Sequence, residues 1–399
     1  MRKSHFLFIA AILILGGCGG RAFISSPADQ VGFTGRAIVQ TQQGVRVSAA
    51  VPDAAETRKL TGLDLYKQGI QPVWLKVTNL GDVRVRAALH SVDDDYFSPM
   101  EVAWKYRKRF NKQGRADMER WFYENQMPRT IPPGESRSGF VFTHLAKGTK
   151  GFNLDAYSSG QSFNFTFFVP IPGFVADYMK VDFDSLYQAN DILAVDNEDI
   201  FRTLQTFPCC STNKTGDDAG EPLNVVLVGT PLAVRRSLLR AGWQETAEND
   251  PGTAVARTHH YRNRAPDGTF QKLRIDGKER KELRLWLSPV RVEDAHVWVG
   301  QVSYDISGST GENAIKNCQL DPDIDDARGF ILQNFWYSQS LSRVGFTSDI
   351  PKSSIESPAR NFSGAEYFTD GSRVVLFVSE KPVAMDETDV VPRLGWKTE

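Results

Sequence analysis

"ELRLWLSPV" (residues 282–290) and "HVWVGQVSYD" (residues 296–305) decide how the second half of this chain folds. Each alternates nearly residue by residue, which is the period of a β-strand, and the alternation puts Arg284 and Trp286 on one side. Working outward, "LNVVLVGTP" (223–231) begins with a short apolar strand, Leu223 to Val228. Thr230 is placed to cap the helix that follows, Pro231 fits its first turn, and Gly242 ends it. On the other side, "ARGFILQNFWYSQSLSRVG" (327–345) carries Ala327, Ile331, Phe335 and Leu341 at helical spacing until Gly345. "SRVVLFVSE" (372–380) reads as a last strand. The order β-α-β-β-α-β predicts an α+β domain over residues 222–385, with helices on one face of an antiparallel sheet.

That order resembles the ferredoxin-like split unit. "VVLVGTP" lacks the glycine spacing and the lysine of a phosphate loop. Residues 31–172 carry a different signal. "GVRVSAAV", "PVWLKVTN" and "SFNFTFFVP" alternate, "VRVRAAL" and "GFVFTHL" add further strands, and Asn79-Leu80-Gly81 and Pro132-Pro133-Gly134 mark turns. Several short strands with polar turns predict an all-β, immunoglobulin-like sandwich. A helical insertion at about residues 98–127 interrupts it: Ser98, Pro99 and Glu101 form a helix start, and a break is expected near Gly114. Lys105, Arg107, Lys108, Arg109, Lys112 and Arg115 crowd this insertion beside Trp104, Tyr106 and Phe110. They read either as a solvated face or as a surface for anionic lipid. Residues 173–221 are a connector with some helical spacing, and 386–399 a tail.

The chain opens with Arg2 and Lys3, an apolar run from Phe6 to Leu15, and Gly16-Gly17-Cys18. These are the parts of a secretory signal, residues 1–17. Ten apolar residues rise only ~15 Å as a helix, about half a bilayer core, which argues against a permanent span. Leu15-Gly16-Gly17-Cys18 resembles the bacterial lipobox, which implies acylation of Cys18 and a tether over 18–30. Gly19, rather than aspartate, follows the cysteine, which by the same resemblance implies the outer membrane, facing the periplasm, in a Gram-negative host. A net charge of −1 with 24% charged residues gives no field for nucleic acid, which is not expected as a partner. Cys209, Cys210 and Cys318 remain after Cys18. Export permits a disulfide, and the odd count leaves open a bridge to Cys318, a bond within the adjacent pair, or free thiols.

"CQLDPDIDDAR" (318–328) sets Asp321, Asp323 and Asp325 at every second position. A calcium loop of EF-hand type needs glycine and glutamate where Asp326 and Leu332 stand. Three readings stay open: a looser divalent-cation site completed by Asp305, the negatively charged start of a helix capped by Asp323, or general acid–base work. No other cofactor is expected. His259 and His260 are adjacent, His90, His144 and His296 stand singly, and neither a Gly-x-Ser-x-Gly elbow nor a His-Glu-x-x-His helix occurs. No catalytic residue is assigned. Arg264, Asp267, Lys272, Arg274, Arg284 and Trp286 are the candidate ligand- or anion-binding residues.

The stretches "FPCCSTNKTG", "PLNVVLVG", "LRAGW", "LRLWLSPV", "VWVGQVSYDI", "DPDIDDAR" and "NFSGAEYFTDG" resemble, in the right order, the LssY C-terminal domain family over residues 199–390. Arg264, Asp267, Gln271, Lys272 and Arg274 fall on that family's pattern, whereas Tyr304 and Cys318 stand where it usually has arginine and histidine. The resemblance implies no established activity. Frequent fusion of such domains to DedA-type membrane proteins or lipid phosphatases implies work on envelope lipids only by association. The expected function is a non-catalytic, lipid-anchored envelope protein that binds a protein or lipid of the envelope. The alternative is a metal-assisted hydrolase of a phosphorylated envelope lipid.

Overall fold

The computed structural model describes residues 21–146, 148–197, 199–246, 258–274, 279–307 and 319–391. Strand residues outnumber helical ones, 39% against 25%, and lie in several sheets, so the β-rich character read from the alternation holds. The chain divides into two compact units, Met1–His90 with Asp94–His144 and Ser91–Asp93 with Leu145–Glu399. The phenylalanine-alternating stretch, read with the N-terminal domain as far as 172, groups with the second unit. Among the described residues no helix is long and apolar enough to cross a membrane. The signal segment, Cys18, Cys318 and the last eight residues of the tail lie outside the described residues.

The first unit contains strands β1 (Ile38–Gln42), β2 (Val45–Ala50), β3 (Ile70–Asn79), β4 (Val85–Ala88), β5 (Thr130–Ile131) and β6 (Ser136–His144). Four of them form an antiparallel sheet in the order β1-β2-β3-β6, and β4 pairs with β5. Alternation sets the register: Val47 lies opposite Val77 and Ala49 opposite Leu75, all four buried. Helix α1 (Ala54–Thr61) starts in a capping box between Asp53 and Glu56. The insertion forms α2 (Pro99–Tyr106) and α3 (Lys112–Glu124). Ser98 Oγ accepts from Glu101 N at 3.1 Å, as the capping pattern predicts. The break falls at residues 107–111, not at Gly114, because Asn111 caps α3 by accepting from Gly114 N at 2.7 Å. Gly114 has another role. A Cβ there would stand 2.8 Å from Arg21 O and 3.0 Å from Phe23 N, so the glycine admits the N-terminal segment. Val102, Tyr106, Phe110, Met118 and Phe122 pack with Phe140 and Phe142 as this unit's core.

The second unit begins with a hairpin of β7 (Thr149–Ser158) and β8 (Gln161–Pro170). The connector supplies β9 (Leu193–Val195), α4 (Ile200–Leu204), and the pair β10 (Cys210–Thr212) and β11 (Ala219–Pro222). Next come β12 (Val225–Gly229), α5 (Pro231–Arg240), β13 (Gln244–Glu245), β14 (Gly268–Leu273), β15 (Arg280–Val292) and β16 (Ala295–Asp305). The chain ends with α6 (Ile324–Tyr337), β17 (Leu341–Thr347), the pair β18 (Ala359–Arg360) and β19 (Glu366–Tyr367), β20 (Arg373–Val378) and β21 (Asp389–Val390).

The main sheet runs β13-β14-β15-β16-β12-β20-β17-β21, with β9 beside β15. The six expected elements occur as β12, α5, β15, β16, α6 and β20, but β13, β14, β17, β18 and β19 lie between them in the chain, and the sheet is mixed rather than antiparallel. β17, unforeseen because its residues continued the helical pattern, leaves α6 and runs antiparallel to β20. β20 then lies between β17 and β12, parallel to β12. Leu283, Leu285, Leu287, Trp298 and Val302 face one side, packed with α5 and α6. Trp286, Val297, Val299, Val375 and Phe377 face the other, packed with α4. Gly300 lies on β16 between β15 and β12, where a Cβ would stand 2.8 Å from both Leu285 Cδ2 and Val225 Cγ1.

Gly300→Ala should therefore lower stability by about 1–3 kcal/mol through overpacking. Gly329→Ala, at an exposed position of α6 with open space around it, should raise stability by about 0.5–1 kcal/mol. Urea denaturation of the two variants checks both signs.

Candidate functional site

The aspartate cluster is taken up by local architecture. Asp321 accepts from Asp323 N at 3.0 Å, and Asp323 caps α6 by accepting from Asp325 N at 3.1 Å. Asp325 accepts from Arg328 at 2.9 Å, Thr369 Oγ1 at 2.7 Å and Asp370 N at 2.6 Å. Asp305 lies at the end of β16, bound by Arg280 at 3.0 Å and by Ser307 N at 2.9 Å. The four carboxylates thus serve different partners, and among the described residues no group of three His, Cys, Asp or Glu side chains could hold a metal ion.

The six candidate binding residues separate into three places. Arg264 donates to Asp267 at 2.9 Å and to Leu287 O at 3.0 Å, while Trp286 Nε1 donates to Arg264 O at 3.1 Å. Burial outweighs Arg264 and pushes the Asp267 carboxyl up to about 6. These three residues lock a turn against β15. Arg284 belongs to a second group, on the sheet face that also carries Trp286. There Glu282 accepts from Arg280 at 2.7 Å and from Arg284 at 3.0 Å, and Arg284 also donates to Gln301. Every charge in this row is buried and set against its opposite.

Lys272 and Arg274 form the third place, with two residues the sequence reading passed over, Lys281 and Phe330. The register sets Lys272 directly opposite Lys281, and Lys281 opposite Tyr304. α6 lays Phe330 over the row, and together with Arg274, Glu279 and Arg280 these residues line a cavity of about 370 Å³. Lys281 Nζ sits 3.8 Å from the centre of the Tyr304 ring and 4.1 Å from that of Phe330. Lys272 Nζ donates to Ala241 O and to Asn334 Oδ1, each at 2.6 Å. Burial, with Lys281 beside it, pushes the Lys272 ammonium below its ordinary range. Burial also pushes Lys281 down, against Asp326 and Asp321 and with Arg274 adding to the effect. Like charges directly opposite on paired strands are destabilising; Asp326 and Asp321 offset part of this at Lys281, and Glu279 lines the same cavity. The sequence carries no local signal for this juxtaposition, because single-strand periodicity does not give the register of β14 on β15.

Behind the sheet, His259 Nε2 meets the Glu221 carboxylate, and Asn361 Nδ2 donates to Glu221 Oε1 at 2.8 Å. Burial alone would raise the Glu221 carboxyl, but His259 and Arg284 outweigh it and hold it at about 2. The group ties β11 to the segments around 259 and 361. Cys209 and Cys210 are bonded to each other, with Cα atoms 3.7 Å apart, so neither is bridged to Cys318.

Because Glu221 titrates at about 2 when folded and ordinarily at 4.5, the pair's stabilisation is complete above about pH 4.5 and is lost as pH falls toward 2. Glu221→Gln should cost about 1–3 kcal/mol at pH 7, because the amide keeps an acceptor for His259 but loses the carboxylate's charge. It should also flatten the stability loss in that acid range. Urea titrations at a series of pH values measure both, and an unchanged acid limb would argue against the assignment.

Residues 202–372 match the family described as LssY C-terminus, a span that includes the basic cavity, the arginine row and the aspartate cluster. A comparison with curated proteins finds none that matches the chain.

Proposed function

We propose that this chain, which carries an LssY C-terminal-like domain over residues 202–372, is a lipid-anchored envelope protein that binds without catalysis. Its ligand is an envelope component presenting an anionic group on an apolar body. The observation that supports this reading is the cross-strand pair of Lys272 and Lys281 beneath Tyr304 and Phe330. An incoming phosphate or carboxylate would relieve the repulsion between the two ammonium groups, and the two rings offer the apolar contact. Binding rather than turnover is favoured because His259 is committed to Glu221 and the aspartates to helix caps and arginine. The anchor at Cys18, the outer-membrane location and the immunoglobulin-like reading of residues 31–172 are parts of the same proposal. The α+β reading of the LssY-like domain is supported by α5 and α6 packing on one sheet face.

Calorimetry with dodecyl phosphate, dodecanol and inorganic phosphate tests the cavity. Dodecyl phosphate should bind best, and Lys281→Met should weaken it at least tenfold while changing stability by less than about 1 kcal/mol. Equal binding by the variant would reject the site.

The anchor is tested separately. Mass spectrometry of the mature N-terminus should find acylated Cys18, and Cys18→Ser should leave the precursor unprocessed or the protein released from membranes. Any other residue at that end, unacylated, would refute the lipoprotein reading.

A further inference from the structure

The helical insertion of the first unit presents a surface that neither the cavity nor the sheet uses. Between residues 105 and 115 the chain has six cations and no acid. Lys105, Lys108 and Lys112 are exposed. Trp104 is 62% exposed and Met100, one helical turn before it, is 46% exposed, although both are large apolar side chains. Arg107 stacks on the Trp104 ring, its guanidinium carbon 2.9 Å from the ring centre. Arg107 on the exposed tryptophan, with Lys108 and Lys112 exposed farther along and Lys105 paired to Glu101 at 3.6 Å, matches the chemistry of an anionic bilayer surface, where cations meet headgroups and the ring sits at the interface.

The position of the N-terminal segment points the same way. Asn111 N donates to Arg21 O at 3.3 Å, the Phe23 ring lies 5.8 Å from that of Phe110, and Gly114 makes room for the segment between them. Arg21 is therefore fixed beside the basic stretch. Cys18 is three residues away, and three residues span at most ~10 Å even when fully extended. Acyl chains on Cys18 must enter the membrane within that reach, which brings the basic stretch to the headgroups.

We propose that the α2–α3 junction, with Trp104 and the cations from Lys105 to Lys112, is a docking surface for anionic phospholipid that holds the first unit flat on the membrane. The proposal rests on the anchor reading of Cys18. The probe is the full acylated protein reconstituted in vesicles of brominated phosphatidylcholine, with or without phosphatidylglycerol. Bromine should quench tryptophan fluorescence, and Trp104→Phe should remove the quenched component. Omitting phosphatidylglycerol, or introducing Lys105→Glu, Lys108→Glu and Lys112→Glu together, should reduce it at least fivefold. If the triple variant misfolds by circular dichroism, high salt applied to the unaltered protein reads the same charge dependence. Quenching unchanged in Trp104→Phe, or indifferent to both charge and salt, would overturn the surface. N-terminal mass spectrometry of the same sample judges the anchor by itself. Unmodified Cys18 defeats the anchor, while charge-dependent quenching at Trp104 in that sample still upholds the surface.

Discussion

The second unit depends on one constraint: the long hairpin of β15 and β16, 13 and 11 residues, is buried on both faces. A sheet covered on both sides must satisfy every polar group it carries from within the protein. On the helical face this is simple, because leucines, valines and Trp298 meet α5 and α6. The opposite face is apolar only over part of its length. Beyond Trp286 and Val299 it carries Arg284, Glu282 and Arg280 on one strand and Gln301, Ser303 and Asp305 on the next, all buried.

Those charges shape the surrounding structure. An ion taken from water costs several kcal/mol unless a well-placed partner offsets it. The alternation Arg280, Glu282, Arg284 gives the carboxylate a cation on each side, and Asp305 and Gln301 complete the row across the strand pair. Such pairing adds little net stability, and an apolar row would pack as well. The row does fix register, since a one-residue slip would move the charges to the helical face. The Glu221–His259–Asn361 group extends the same logic to the loops that cover this face.

The basic cavity differs in kind. Lys272 and Lys281 face one another across the strand pair, and Asp326 and Asp321 offset part of the charge at Lys281. The aspartate cluster thus contributes to the cavity at a distance while its oxygens cap α6. Opposite charges meet in the buried row of the hairpin, whereas like charges meet across the strands at this edge.

Much of this was legible in the sequence, because strand alternation, caps and turns are local. The hairpin halves, the Ser98 and Thr230 caps, α5, α6 and the capping role of Asp323 all follow from residues within a few positions of each other. β17 did not, since "LSRVG" continued the helical spacing of α6 and only the parallel pairing of β20 with β12 made room for a strand there. The break in the insertion was misplaced for a similar reason: Gly114 serves the chain crossing at Arg21, a contact far away in sequence. The candidate cations were recognised by type, but their sorting into a turn lock, a buried row and an open cavity was decided by tertiary structure alone. Register determines which charges become neighbours, and register is a property of strands paired across the fold.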